Sequence, residues 1–209
     1  MGELVAAGNR KDESTITTDA ATTKWAEDQA ASLLSPLGER WLHTKSVVER
    51  ARQVGRAFNE KDRALLIAAA YMHDVGYAPA LSKTGFHPLD GANYLLQQGQ
   101  TRLASLVAHH SEAQYEAELR GLSNDLSKFP REQSTLTNAL TYCDMTTGTT
   151  GLQVSFEARL ADIFQRFDKT HIVNQAIHEA KPRLAEAIKK TEEKLHSHRS
   201  ISKKIKDNT

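Results

Sequence analysis

The sequence predicts an all-α fold, and three observations carry that expectation. Apolar residues recur at spacings of three and four in one segment after another, as one face of an α-helix requires. No stretch alternates apolar and polar residues in the manner of a half-buried strand. No unit repeats along the 209 residues, so repeat architectures are set aside.

Taken in order, residues 1–22 are rich in Thr, Ala, Asp and Gly without periodicity and read as a mobile tail. From 23 or 24 to 34, Trp25, Ala26, Gln29, Ala30, Leu33 and Leu34 keep helical spacing, and Ser35-Pro36-Leu37-Gly38 breaks it. A second helix runs to about 58, with His43, Val47, Ala51, Val54 and Phe58 as its inward row. His43 therefore shares a face with core residues and not with Glu39, Arg40, Glu49 and Arg50.

The third helix is expected from about 62, with Asp62 as N-cap, to 75. Residues 64–72 carry no charge, so it should be hidden on nearly every side. His73 and Asp74 stand side by side at its end, and Gly76 reads as its stop. An ionised carboxylate there costs on the order of several kcal/mol unless it is compensated, by a metal cation or by a salt bridge.

A loop holding Pro79, Lys83 and Gly85 leads to His87, and Pro88 suits the first turn of a helix that ends at Gly99. The next helix begins at 101 or 102, with Leu103, Leu106, Val107 and His110 inward. His109 lies about 100° round from His110, at a solvent edge or facing substrate. Residues 112–130 read as a short helix and a loop ending at Pro130. From about 132 a helix brings Leu136, Ala139, Leu140, Cys143 and Asp144 to one face, and 146–151 is turn-rich. Helices over 154–167 and 171–196 follow, then a basic, frayed end. The organisation expected is a tail over 1–22, one helical domain over 23–196 and a basic tail over 197–209.

The formal charge of +1 argues against binding of a nucleic-acid duplex. A single cysteine, Cys143, excludes an intramolecular disulfide and suits a reducing compartment; it reads as a small core residue. No apolar run approaches the roughly 20 residues needed to span a bilayer, and the apolar run near the N-terminus is too short for a signal peptide. No membrane partner and a cytoplasmic setting are therefore expected.

Periodicity alone places His43, the His73-Asp74 pair, His110 and Asp144 on the inner faces of four helices. Each is expensive to bury unpaired. Imidazole with carboxylate is the donor mix of divalent Zn, Mn, Fe, Co or Ni, and less that of Mg or Ca. His171, His178, His196 and His198 read as exposed helix residues.

His43 in Leu42-His-Thr-Lys-Ser-Val-Val, His73-Asp74 in Tyr71-Met-His-Asp-Val-Gly and Asp144 in Tyr142-Cys-Asp-Met resemble the signature of the HD-domain superfamily of metal-dependent phosphohydrolases over residues 37–150. His87 in Gly85-Phe-His-Pro and His110 in Leu106-Val-Ala-His-His-Ser match the two histidines that six-ligand bacterial members add. The pattern is most similar to bacterial HD-type hydrolases of dinucleoside polyphosphates. The resemblance implies one or two divalent transition metals on His43, His73, Asp74, His87, His110 and Asp144, with Asp74 catalytic as the bridging carboxylate. It also implies a small phosphorylated substrate, a nucleotide above all. Many two-metal members carry a lysine just after the His-Asp glycine, where this chain has Tyr77; Lys83 in the same loop is the candidate replacement for a phosphate contact. The Glu-Asp pair of guanosine tetraphosphate hydrolases is absent. The alternatives are a di-iron oxygenase on the same ligands and a non-catalytic HD protein that binds a nucleotide or a partner. Lys83, Arg120 and Thr147 are otherwise read as solvated charges or a turn hydroxyl.

Overall fold

The computed structural model describes residues 19–207, which form ten α-helices joined by turns and 3-10 segments. Among the described residues the only extended pairing is one antiparallel bridge between Thr147 and Gln153. The expectation of a tail over 1–22 falls largely outside the described residues. Within them α1 (Asp19–Leu34) begins some four residues before the expected start.

Helix α3 (Glu60–Met72) is the central rod, packed by α1, α2 (Glu39–Val54), α5 (Thr101–Ala108) and α8 (Thr135–Met145). Its N-cap is Asn59, whose Oδ1 accepts from the Asp62 amide at 2.9 Å, rather than Asp62 itself. Glu60 and Asp62 then sit in the first turn, where the helix dipole favours acids. Every residue of α3 from Leu66 onward is buried. The small side chains of Ala68, Ala69 and Ala70 leave room for helices on several sides.

α3 ends at Met72, three residues before the expected end, and Gly76 is not its terminator. It lies in a 3-10 turn over Val75–Tyr77 that packs on the start of α4 (His87–Gln97). A Cβ built on Gly76 would fall 2.0 Å from the carbonyl oxygen of His87 and 2.7 Å from the amide nitrogen of Gly91. Gly76 is needed for close backbone approach, and that approach sets His87 beside Asp74. The loop before α4 is tied by buried Asp90, which accepts from the amides of Lys83 and Thr84 and from the Thr84 hydroxyl. His87 is therefore the first residue of a helix, not a loop residue.

After α5 the chain turns through His110–Glu112, where Ser111 and Glu112 both have positive φ. Two short helices follow, α6 (Gln114–Leu119) and α7 (Ser123–Leu126). α8 is capped by Ser134, and α9 (Phe156–Arg166) by Ser155. The last helix, α10 (Ile172–Asp207), packs on α6, α8 and α9. It continues through residues expected to fray, a segment whose Lys and Arg are strong helix formers. No helix among the described residues is long and apolar enough to cross a membrane.

The contact at Gly76 gives the first prediction. Gly76→Ala pushes the 75–77 turn off α4 and should lower stability by about 3 kcal/mol, seen as a fall in the urea midpoint. A midpoint unchanged from the wild type would mean that this turn and α4 do not pack as described.

Candidate metal centre

The six residues singled out above meet at one place, in two groups. His43 from α2, His73 at the end of α3 and Asp144 from α8 form one. Asp74, His87 at the start of α4 and His110 after α5 form the other. Within each group one donor atom per residue lies within 4.8 Å of the others. Asp74 stands between the groups: Oδ2 is 3.4 Å from His73 Nε2, and Oδ1 is 3.4 Å from His87 Nε2.

The tautomers follow from the backbone. A carbonyl oxygen only accepts, so a ring nitrogen bonded to one must carry the proton. Nδ1 of His43 donates to the Gly148 carbonyl at 3.0 Å, that of His73 to Ala70 at 2.8 Å and that of His110 to Val107 at 2.6 Å. Three imidazoles are thereby turned so that Nε2 faces inward, an arrangement common to metal-ligating histidines. His73 Nε2 is buried and has no hydrogen-bond partner. His87 and His110 bring their Nε2 atoms to 3.2 Å, so one of them must be the donor when they share a hydrogen bond. An orphaned acceptor and two facing nitrogens fit a divalent cation better than they fit a closed hydrogen-bond network.

Burial would raise the pKa of Asp74, but His73, Arg40 and His87 outweigh it and hold the carboxyl well below its usual range. Asp144 is likewise held low against burial, chiefly by its hydrogen bond with His43. Burial lowers His73 and His87. It also works to lower His43, whose pKa nonetheless ends above the ordinary value because the Asp144 carboxylate, 3.2 Å from its Nε2, favours the protonated ring. Both acids are therefore held ionised at neutral pH.

A cleft of about 130 Å³ opens onto both groups. Its walls hold residues that periodicity did not flag. Arg40, expected on the outer face of α2, swings back so that Nη1 donates to Asp74 Oδ2 at 2.8 Å. Its guanidinium lies 4.0 Å above the Tyr77 ring, which stacks on His87 with centroids 4.0 Å apart. Ser111, strained at φ 48°, donates its hydroxyl to Asp144 Oδ2 at 2.5 Å and so links the two groups. Arg159 and Arg166 of α9 also line the cleft.

Other expectations change. His109 does not face solvent or the cleft: it is buried, and its Nε2 donates to the Phe129 carbonyl at 2.8 Å. The chain breaks from α-geometry after Ala108, so the 100° spacing no longer governs where its ring points. The Lys83 side chain is exposed and does not line the cleft, Arg120 pairs with Glu116, and Thr147 donates to the Cys143 carbonyl. Cys143 is fully buried, as expected for a core residue, and His171, His178, His196 and His198 are exposed.

A family model described as HD domain matches residues 40–172, a span that includes all six residues of the two groups. No curated protein and no solved structure matches the chain.

Metal equivalents measured by calorimetry or elemental analysis test the centre. His73→Ala should lose one equivalent of divalent metal, and Ser111→Ala should weaken binding by about tenfold through a freed Asp144. Wild-type uptake in both variants would mean that the two groups do not hold the ion.

Proposed function

Since the chain belongs to the HD domain family, we propose that it is a metal-dependent phosphohydrolase, acting on a phosphoester or phosphoanhydride of a nucleotide or similar small phosphorylated molecule. The observation that carries this reading is the pair of facing donor groups, with three histidine Nδ1 protons committed to carbonyls and the Nε2 atoms turned inward. His43, His73, Asp74, His87, His110 and Asp144 would hold one or two divalent ions, with Mn, Fe, Co, Ni and Zn all suited to this donor mix. Such an ion supplies Lewis acidity, lowering the pKa of water toward neutrality and offsetting charge on phosphoryl oxygens.

The protein's own groups do the rest. Asp74, ionised and with an oxygen toward each group, would serve both groups and accept a hydrogen bond from an attacking water. Arg40 keeps that carboxylate oriented and brings a permanent positive charge to the cleft wall. Ser111 fixes Asp144. Met145, Ile163, Phe167, Val173 and Ile177 form an apolar wall that limits bulk water. Three arginines and three acids line the cleft, so its formal charge cancels until divalent ions enter and make it a site for an anion.

The test is phosphate release from a nucleotide panel by protein loaded separately with Mn, Co, Ni, Fe or Zn. Turnover is expected with at least one metal, and Asp74→Ala should lose more than about 100-fold of it. Absence of turnover with every metal, or full activity in Asp74→Ala, would reject the proposal.

A further inference from the structure

We infer that Arg159 forms a subsite for a second, non-reacting anionic group of the substrate, next to the phosphoryl group held at the two donor groups. This rests on the phosphohydrolase reading and extends it from the reaction to the substrate. The chemical class selected is a chain of adjacent phosphoryl groups rather than a lone phosphomonoester.

Arg159 is 7% exposed, and its Nε is buried without a hydrogen-bond partner. A guanidinium is always charged, and leaving one of its N–H groups dry and unpaired costs on the order of 1–3 kcal/mol. The fold holds it there deliberately. Asp162, one turn along α9, accepts from Arg159 Nη1 at 2.9 Å and also takes Arg166 through Nε at 3.2 Å and Nη2 at 2.9 Å. One carboxylate thus serves two guanidinium groups, and the Arg159–Asp162–Arg166 cluster keeps one positive charge in excess.

The placement matters as much as the charge. Arg159 and Arg40 line one cleft but come from different helices, α9 and α2. Arg40 is held on the Asp74 carboxylate through Nη1, whereas Arg159 keeps a buried Nε without a partner. Arginine meets phosphoryl oxygens with parallel N–H groups, which suits it to read an anion rather than only neutralise one. Size points the same way. About 130 Å³ is well short of the roughly 300–1,000 Å³ of pockets that swallow a drug-sized ligand. The cleft takes phosphoryl groups and leaves the remainder of a larger substrate outside.

The experiment compares binding of inorganic phosphate with that of methylenediphosphonate, a pair of phosphoryl groups that hydrolysis cannot split. Calorimetry is run on Mn-loaded protein freed of excess metal, with metal content checked before and after. Wild-type protein should prefer the diphosphonate by about tenfold or more, as one added charge-assisted contact implies. In Arg159→Met that ratio should fall to about one. Arg159→Lys, which keeps the charge but loses the fork, should lie between. Asp162→Asn leaves Arg159 in place and should keep the preference; its loss there as in Arg159→Met would trace the effect to the packing of α9 and overturn the subsite. A wild type without preference, or a preference surviving in Arg159→Met, overturns it too. If wild type binds phosphate and hydrolyses nucleotides but shows no preference, only the subsite falls. If it binds neither ligand and releases no phosphate from any nucleotide, the phosphohydrolase reading falls, and the subsite with it.

Discussion

Two ionised carboxylates, Asp74 and Asp144, sit where helices rich in Ala, Leu, Val and Met converge, and the arrangement around them follows from the need to compensate that charge. An ordinary ion-pair solution is present in part: Arg40 faces Asp74, and His43 faces Asp144. Charge balance alone asks for no more. The site nonetheless holds two further inward-facing imidazoles on the Asp74 side, and an Nε2 of His73 that nothing in the protein satisfies. Burying such donors without partners is unfavourable. Donor geometry in excess of what folding requires is what separates a binding site from a buried salt bridge.

The positions of those donors are fixed by backbone. Each of three rings is anchored through Nδ1 to a carbonyl, two of them only three residues away in the same chain segment. The third, His43, reaches across to the loop after α8 and so ties α2 to the segment that presents Asp144. Gly76 lets the turn after α3 touch the first turn of α4, and His87 arrives next to Asp74 as a result. Ser111 accepts a left-handed backbone and binds Asp144 across the boundary between the two groups. Small residues and strained ones both occur where helix ends must converge more tightly than side chains allow.

Much of this was legible in the sequence, because burial leaves a periodic trace. His43, His110 and Asp144 lie in rows with Val47, Leu106 and Leu140, and an inward row is readable whatever the tertiary partner. The apolar run over 64–72 marked the central helix for the same reason. What escaped has a physical cause in each case. Arg40 begins on the outer face and is long enough to bend back, so the position of its Cα said little about where its charge would go. Ser111 and the burial of His109 depend on the chain leaving helical geometry after Ala108, which spacing cannot register. Arg159 lies 15 residues past the last signature position, on a helix whose pattern reads as amphipathic and unremarkable in chemistry. Gly76 looked like a stop, since a glycine needed for close approach and one needed for termination are identical until the neighbour is known.

The division between what the sequence displayed and what it hid follows a division of labour in the fold. The donors come from α2, α3, α4, α8 and the turn after α5, elements that pack on one another around the central rod. The opposite wall of the cleft comes from the start of α6, from α9 and from the first turns of α10. The family match ends at residue 172, yet Val173 and Ile177 of α10 line the cleft. The matched span therefore holds the proposed reaction centre, while part of the wall against which a substrate must fit lies beyond it. Under the proposed function, changes in α9 and α10 alter which phosphorylated molecule is accepted without disturbing how water is delivered to it, since none of the six donor residues lies on those two helices.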